Sequence, residues 1–180
     1  MLSATDRPDV AIRSWSEGDL PLLERLLGDP IMMKLLGGPE TPEAIRARHA
    51  RYLDSDVSAG ALYAIAVGPE WTPVGWLGYW QTTWRGRDVW ECGWHVLLEY
   101  QARGLASSAA RLMIERARAR HTLRFMHAFP SVENAASNAL CRRLGFRSLG
   151  EVDVEYPIGT TMRSIDWCLD LFDEDAPLVR

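Results

Sequence analysis

Lysine is almost missing from this chain of 180 residues: Lys34 stands alone, and arginine supplies the rest of the 20 basic residues. That bias reads as the codon usage of a GC-rich genome. Basic excess is also missing. With 24 acidic residues the formal charge is −4, which argues against general nucleic-acid binding, since that usually needs a strongly basic face. Cysteine is scarce, and Cys92, Cys141 and Cys168 are widely spaced with no C-x-x-C. A zinc site or disulfide framework is therefore not expected, and reduced thiols point to the cytoplasm. No run approaches the roughly 20 apolar residues of a membrane span. The first eight residues contain no apolar signal core. Repeats, low-complexity linkers, a Walker loop and the dinucleotide G-x-G-x-x-G are all lacking.

What is present is the composition of a globular protein, 47% apolar and 24% charged. The length suits one domain over 1–180, with a loose acidic tail over 173–180. The pattern predicts a strand over Val10–Trp15 and a helix over Leu20–Leu27 capped by Asp19. A short helix over Ile31–Leu36 and a longer one from Thr41-Pro42 to Leu53 follow. Strands are expected over Ala61–Val67, Val74–Thr83 and Val89–Leu98, the last two joined by a turn at Arg85–Asp88. A helix over Leu105–Arg120, a strand over Leu123–Phe129 and a helix over Glu133–Leu144 come next, closed by Gly145. Strands over Arg147–Glu155 and Met162–Leu171 finish a mixed, layered α/β sheet.

The most informative stretch is Gln101-Ala102-Arg103-Gly104-Leu105-Ala106. It joins an apolar strand to a long helix. The first turn of a helix carries N–H groups without intrahelical acceptors, and the helix dipole favours an anion there. Gly104 tolerates positive φ, and Ala106, Ser107 and Ser108 leave room for a phosphate. An ordinary strand-to-helix connection would look similar. A second stretch, Asn134-Ala135-Ala136-Ser137, runs into Leu144-Gly145-Phe146. The two motifs, in this order and at this spacing, resemble the GNAT superfamily of N-acetyltransferases. The Asn-x-x-Ser variant and the opening strand are most similar to its ribosomal-protein N-terminal acetyltransferase branch.

The resemblance implies the GNAT fold: a mixed, mostly antiparallel sheet of six to seven strands, two splayed parallel strands at its centre, and flanking helices. It implies acetyl-CoA as co-substrate, with no metal. Two strands that splay leave unpaired backbone groups, and the two amides of a pantetheine arm can pair with them as a peptide would. The backbone of Val96, Leu97 and Leu98 is expected to hold that arm. The amides of Arg103, Gly104, Leu105 and Ala106 are expected to hold the pyrophosphate, with side-chain bonds from Gln101 and Ser107 and charge from Arg103, while Asn134 is expected to cap its helix and to bond the pantetheine. Arg103 as a solvated surface residue is an equal reading.

Acyl transfer to an amine needs a base, an oxyanion site and a proton donor for the departing thiolate. Glu91, on the strand bordering the thioester, is the expected base, directly or through water; a surface glutamate is the plainer alternative. Glu155 is its rival, near where the ribosomal-protein branch carries a glutamate. Glu151, Asp153 and Glu155 share one strand face. Many family members place a proton-donating tyrosine where this chain has Cys141; the resemblance to the Asn-x-x-Ser branch implies that the hydroxyl of Ser137 is the proton donor instead. A helix-start serine bonded to its own backbone is the alternative. His95, and less so His127, are relay candidates. The tryptophans at 76, 80, 84, 90 and 94 form either packed core, an aromatic wall of the acceptor pocket, or a homodimer surface. The implied function is acetyl transfer to a primary amine of a small molecule or a protein N-terminus. The alternative is a GNAT-fold sensor that binds acyl-CoA without turnover.

Overall fold

The computed structural model describes residues 9–54 and 56–173. The tail expected at 173–180 therefore lies outside the described residues beyond Asp173. One seven-stranded sheet carries the structure, in the order β1-β2-β3-β4-β5-β7-β6. The strands are β1 Val10–Ser14, β2 Gly60–Val67, β3 Thr72–Trp84, β4 Arg87–Val96, β5 Phe125–Ala128, β6 Arg147–Glu155 and β7 Thr161–Asp170. Every neighbouring pair is antiparallel except β4 and β5. This is the mixed sheet with a central parallel pair that the sequence implies.

Two helices cover each face. On one face lie α3, Leu105–Arg120, and α4, Ala135–Arg143. Leu105, Ala109, Met113 and Ala117 recur at helical spacing along α3 and pack with Leu140, Cys141 and Leu144 against Trp90, Met126 and Trp167 of the sheet. On the other face α1, Leu20–Leu27, and α2, Pro42–Leu53, bury Leu23, Leu26 and Ile45 against Trp15, Ala64 and Trp76. The tryptophans thus divide. Trp90 and Trp94 pack on the α3 side and Trp76 and Trp80 on the α1 side, as strand alternation dictates.

Several boundaries differ from the sequence reading. Asp19 does not cap α1 with its side chain. Its buried carboxylate binds Arg13 (2.7 Å) and accepts from the Ser16 amide (2.8 Å), so it ties β1 to the turn that follows. Ile31–Leu36 forms turns and not a helix. Asp29 Oδ1 accepts from the amides of Ile31 and Met32, an Asx turn that competes with helix, and Gly37 and Gly38 end the segment. The turn between β3 and β4 is tighter than expected. Trp84 pairs with Arg87, and Arg85 and Gly86 both take positive φ (49° and 76°), as a two-residue hairpin requires. Finally, β4 stops at Val96. Leu97 is buried under α1, and Leu98–Tyr100 is a single 3-10 turn.

Candidate active site

The site starts where two neighbouring strands part: β4 follows β3 to Val96, while the chain of β5 follows β7 past Ala128 to Ser131. β5 is four residues long and β4 is ten. Their parallel pairing consists of Trp90 with Met126 and Glu91 with His127. Past Glu91, β4 continues without β5 beside it, and a wedge opens. Leu97 donates its amide to the Val74 carbonyl at 2.9 Å. Antiparallel alternation therefore turns the backbones of Leu97, His95 and Gly93 toward β3, and those of Val96 and Trp94 toward the wedge. Of the three residues expected to grip pantetheine, Val96 keeps that orientation. Leu97 spends its N–H on β3, and Leu98 accepts from the Gln101 amide (3.1 Å) in the 3-10 turn. Trp94 is the wedge-facing backbone that the sequence reading missed. The cause is a slip in strand end, because the apolar run Val96-Leu97-Leu98 reads as strand whether it is paired or merely buried.

The loop leading to α3 is shaped by two left-handed residues, Ala102 (φ 58°) and Gly104 (φ 79°). The first helical bond runs from the Ser108 amide to the Gly104 carbonyl (3.0 Å). The amides of Leu105, Ala106 and Ser107 precede it and have no intrahelical acceptor. Leu105 is buried and anchors this end in the core. A methyl group on Gly104 would meet open space, so conformation is what demands glycine there. This is the cradle geometry that a pyrophosphate needs. Two side chains point elsewhere. Gln101 donates to the Val96 carbonyl (2.9 Å), and Arg103 donates to the Glu99 carbonyl (2.7 Å) while stacking over Tyr100.

On the α3 side of the wedge stands the start of α4. Asn134 caps the helix, accepting from the Ser137 amide at 3.0 Å. Ser137 Oγ accepts from the Trp94 indole at 3.3 Å. Cys141, one turn on, is fully buried, and burial pushes its thiol up to about 12, so it stays protonated. Asn138 is saturated. It donates to the carbonyls of Ser131 and Asn134 and accepts from the Trp167 indole at 2.8 Å.

On the opposite face stands Glu91, half-buried at the point where the strands part. Burial raises its carboxyl above the ordinary range, and the Trp80 indole and the charge of His127 pull it back in part. His95 lies two alternations along. Burial, with the nearby Arg48 charge, lowers it to about 4. Its Nδ1 accepts from the Trp76 indole (3.1 Å), so the neutral ring carries its proton on Nε2. His127 instead faces Asp166 of β7 at 2.7 Å. Glu155 is exposed and accepts from the Gly159 amide of its own hairpin (2.7 Å), and Glu151 and Asp153 pair with Arg163. The next residue, Tyr156, is the one whose phenol senses Glu91 and Arg48.

Arg48 of α2 forks onto Glu40 (3.2 and 2.5 Å), and Tyr52 packs between Trp15 and Trp76. Glu40, Arg48, Tyr52, Tyr156 and Asp166 escaped the sequence reading. Glu40, Arg48 and Tyr52 belong to α2 and its lead-in, and Tyr156 joins them only through tertiary contact with the β6–β7 connection. Asp166 left a signal: a carboxylate inside the apolar strand Ile165-Asp166-Trp167-Cys168-Leu169. Among the described residues no group of His, Cys, Asp and Glu could hold a metal ion, and no helix is long and apolar enough to cross a membrane.

The acetyltransferase (GNAT) domain model matches residues 9–147. The chain belongs to the GNAT family. No curated protein matches it. Solved GNAT structures share the fold. A GNAT acetyltransferase from Bacillus anthracis superposes with TM-score 0.75 at 19% identity, over 90% of this chain and 95% of that one. The Salmonella typhimurium acetyltransferase that modifies the N-terminal serine of ribosomal protein L7/L12 gives 0.73 at 19%, over 89% and 94%. Spermidine N-acetyltransferase from Vibrio cholerae, in complex with CoA and spermine, gives 0.73 at 15%, over 90% and 95%.

Proposed function

We propose that this GNAT domain is a cytoplasmic N-acetyltransferase that moves acetyl from acetyl-CoA directly to a primary amine. The observation that carries this reading is the wedge, with a half-buried carboxylate on one face and a hydroxyl on the other. Acetyl-CoA supplies the activated acyl group. The amides at the start of α3 bind its pyrophosphate, and the backbones of Val96 and Trp94 bind its pantetheine. The amine enters from the α1–α2 side, where the half-buried Trp80, Tyr52 and Tyr156 offer aromatic surface to a cation. An alkyl ammonium, with a pKa near about 10, must lose a proton before it attacks, and Glu91 takes it, directly or through water. Ser137, on the α3–α4 side, protonates the departing thiolate. Base and acid thus never compete for one proton, because the strand itself separates them.

The acceptor is a small amine or a protein N-terminus; neighbours with this fold act on spermidine and on a ribosomal-protein N-terminal serine. Thiol release from acetyl-CoA, measured against a panel of polyamines, amino sugars and N-terminal peptides, tests the reading. Turnover with at least one amine and direct CoA binding by calorimetry are expected. CoA binding with no turnover across the panel would favour the sensor alternative, and no CoA binding would end both.

A further inference from the structure

Glu91 and His127 form the last registered pair before the sheet divides. Registered neighbours project to the same face. Behind His127, β7 places Asp166, which has no exposed surface. Asp166 Oδ1 lies 2.7 Å from His127 Nδ1, and Oδ2 accepts from the Trp84 indole at 3.0 Å, with the Arg85 guanidinium at 3.8 Å. A buried carboxylate is costly unless it is paired and hydrogen-bonded. Three groups from two elements converge on this one. The imidazole is in turn only 7% exposed and stacks on Phe129.

The surroundings are definite on every side. Around His127 stand Asp166 and Cys168 from β7 and Glu91 from β4. Around Glu91 stand Trp80 from β3, His127 from β5 and Tyr156 from the β6–β7 connection. Burial alone would strip the imidazole of its proton. The bonds to Asp166 and Cys168 outweigh burial and raise it to about 9, which favours the imidazolium at neutral pH. With Nδ1 committed to Asp166, the second N–H lies on the opposite edge of the ring.

We propose that the His127–Asp166 pair is a positioning element for Glu91, a counter-ion on the neighbouring strand that keeps its carboxylate ionised where the wedge begins. This rests on the N-acetyltransferase reading, in which Glu91 is the base. Without the imidazolium, a carboxylate at this depth takes up a proton nearer neutrality and stops accepting one from the amine. Asp166 never meets the substrate and acts only through His127.

The test follows the Glu91 carboxylate itself. In protein labelled with carbon-13 at glutamate carboxyls, with Glu91 assigned through Glu91→Gln, its titration is compared among wild type, His127→Gln and Asp166→Asn. A rise in the Glu91 midpoint of about one pH unit or more in both variants is expected. The acid limb of kcat/KM should move by the same amount, with KM for acetyl-CoA unchanged. His127→Lys, which keeps the charge, should restore the wild-type midpoint. A Glu91 midpoint unmoved in both variants would overturn the proposal, as would a loss of kcat/KM equal at every pH. A shifted carboxylate in a protein that acetylates no amine would keep the counter-ion and overturn the acetyl-transfer reading instead.

Discussion

Trp94 donates its indole N–H to Ser137 Oγ at 3.3 Å, joining β4 to the first turn of α4 across the wedge. A hydroxyl has one hydrogen to give and two lone pairs. With one lone pair held by the indole and the Ser137 amide already on Asn134, the hydroxyl hydrogen stays available for a third partner. Ser137→Ala should lower kcat about a hundredfold, within the span of general-acid contributions. Trp94→Phe, which leaves the serine but frees its rotor, should lower kcat by a smaller factor. CoA affinity, measured by calorimetry, should stay within about twofold of wild type in both.

Glu91→Gln should reduce kcat/KM by about a hundred- to ten-thousandfold without weakening CoA. The wild-type profile should show the sign of its buried carboxyl. The active form is the carboxylate, so kcat/KM rises with pH, and the midpoint should fall above the ordinary 4.5. A midpoint at or below that value would exclude Glu91 as the titrating base.

Stability should respond to His95. Its folded-state value of about 4 lies below the ordinary 6.5, so the unfolded chain binds more protons between these limits. The contribution is full above about 6.5 and is lost as the pH falls toward 4. Urea unfolding at pH 7 and 4.5 measures the slope, and His95→Gln should flatten it.

Asn138 joins the loop after β5, the start of α4 and Trp167 through three hydrogen bonds. Asn138→Ala strands the buried indole N–H of Trp167, at about 1–3 kcal/mol for one unsatisfied group, while the carbonyls of Ser131 and Asn134 keep the backbone amides of Asn134 and Asn138. Denaturant midpoints should fall accordingly. If stability holds within about 0.5 kcal/mol, water has replaced the side chain.

Much of this fold could be read from periodicity. The bounds of α3 coincide with the expected Leu105–Arg120, and those of β6 with Arg147–Glu155. Each has a clear repeat with a turn residue at its end. Ambiguity arose where burial, and not pairing, made a segment apolar. Leu97 is hidden beneath α1, and Met33 packs into the same cluster from a string of turns, so both mimic regular structure. The candidate loop before α3 was legible because its residues are consecutive. The cluster on the α2 side was not, since Arg48, Tyr156 and Glu91 lie far apart in the chain and no local pattern links them. Asp166 was the exception in principle, because a lone carboxylate in a buried strand demands a cation, and His127 on the adjoining strand supplies one.

The gap between β4 and β5 exists because past His127 the chain keeps to β7, through Ala128 with Trp167 and Ser131 with Ser164, while β4 keeps to β3. What it offers a guest is therefore peptide groups, a currency common to every amino acid but proline. Side chains around such a cleft are free to drift through evolution so long as the two strands keep to different neighbours. That freedom suits an architecture still recognisable when only 15–19% of positions agree with proteins of the same shape.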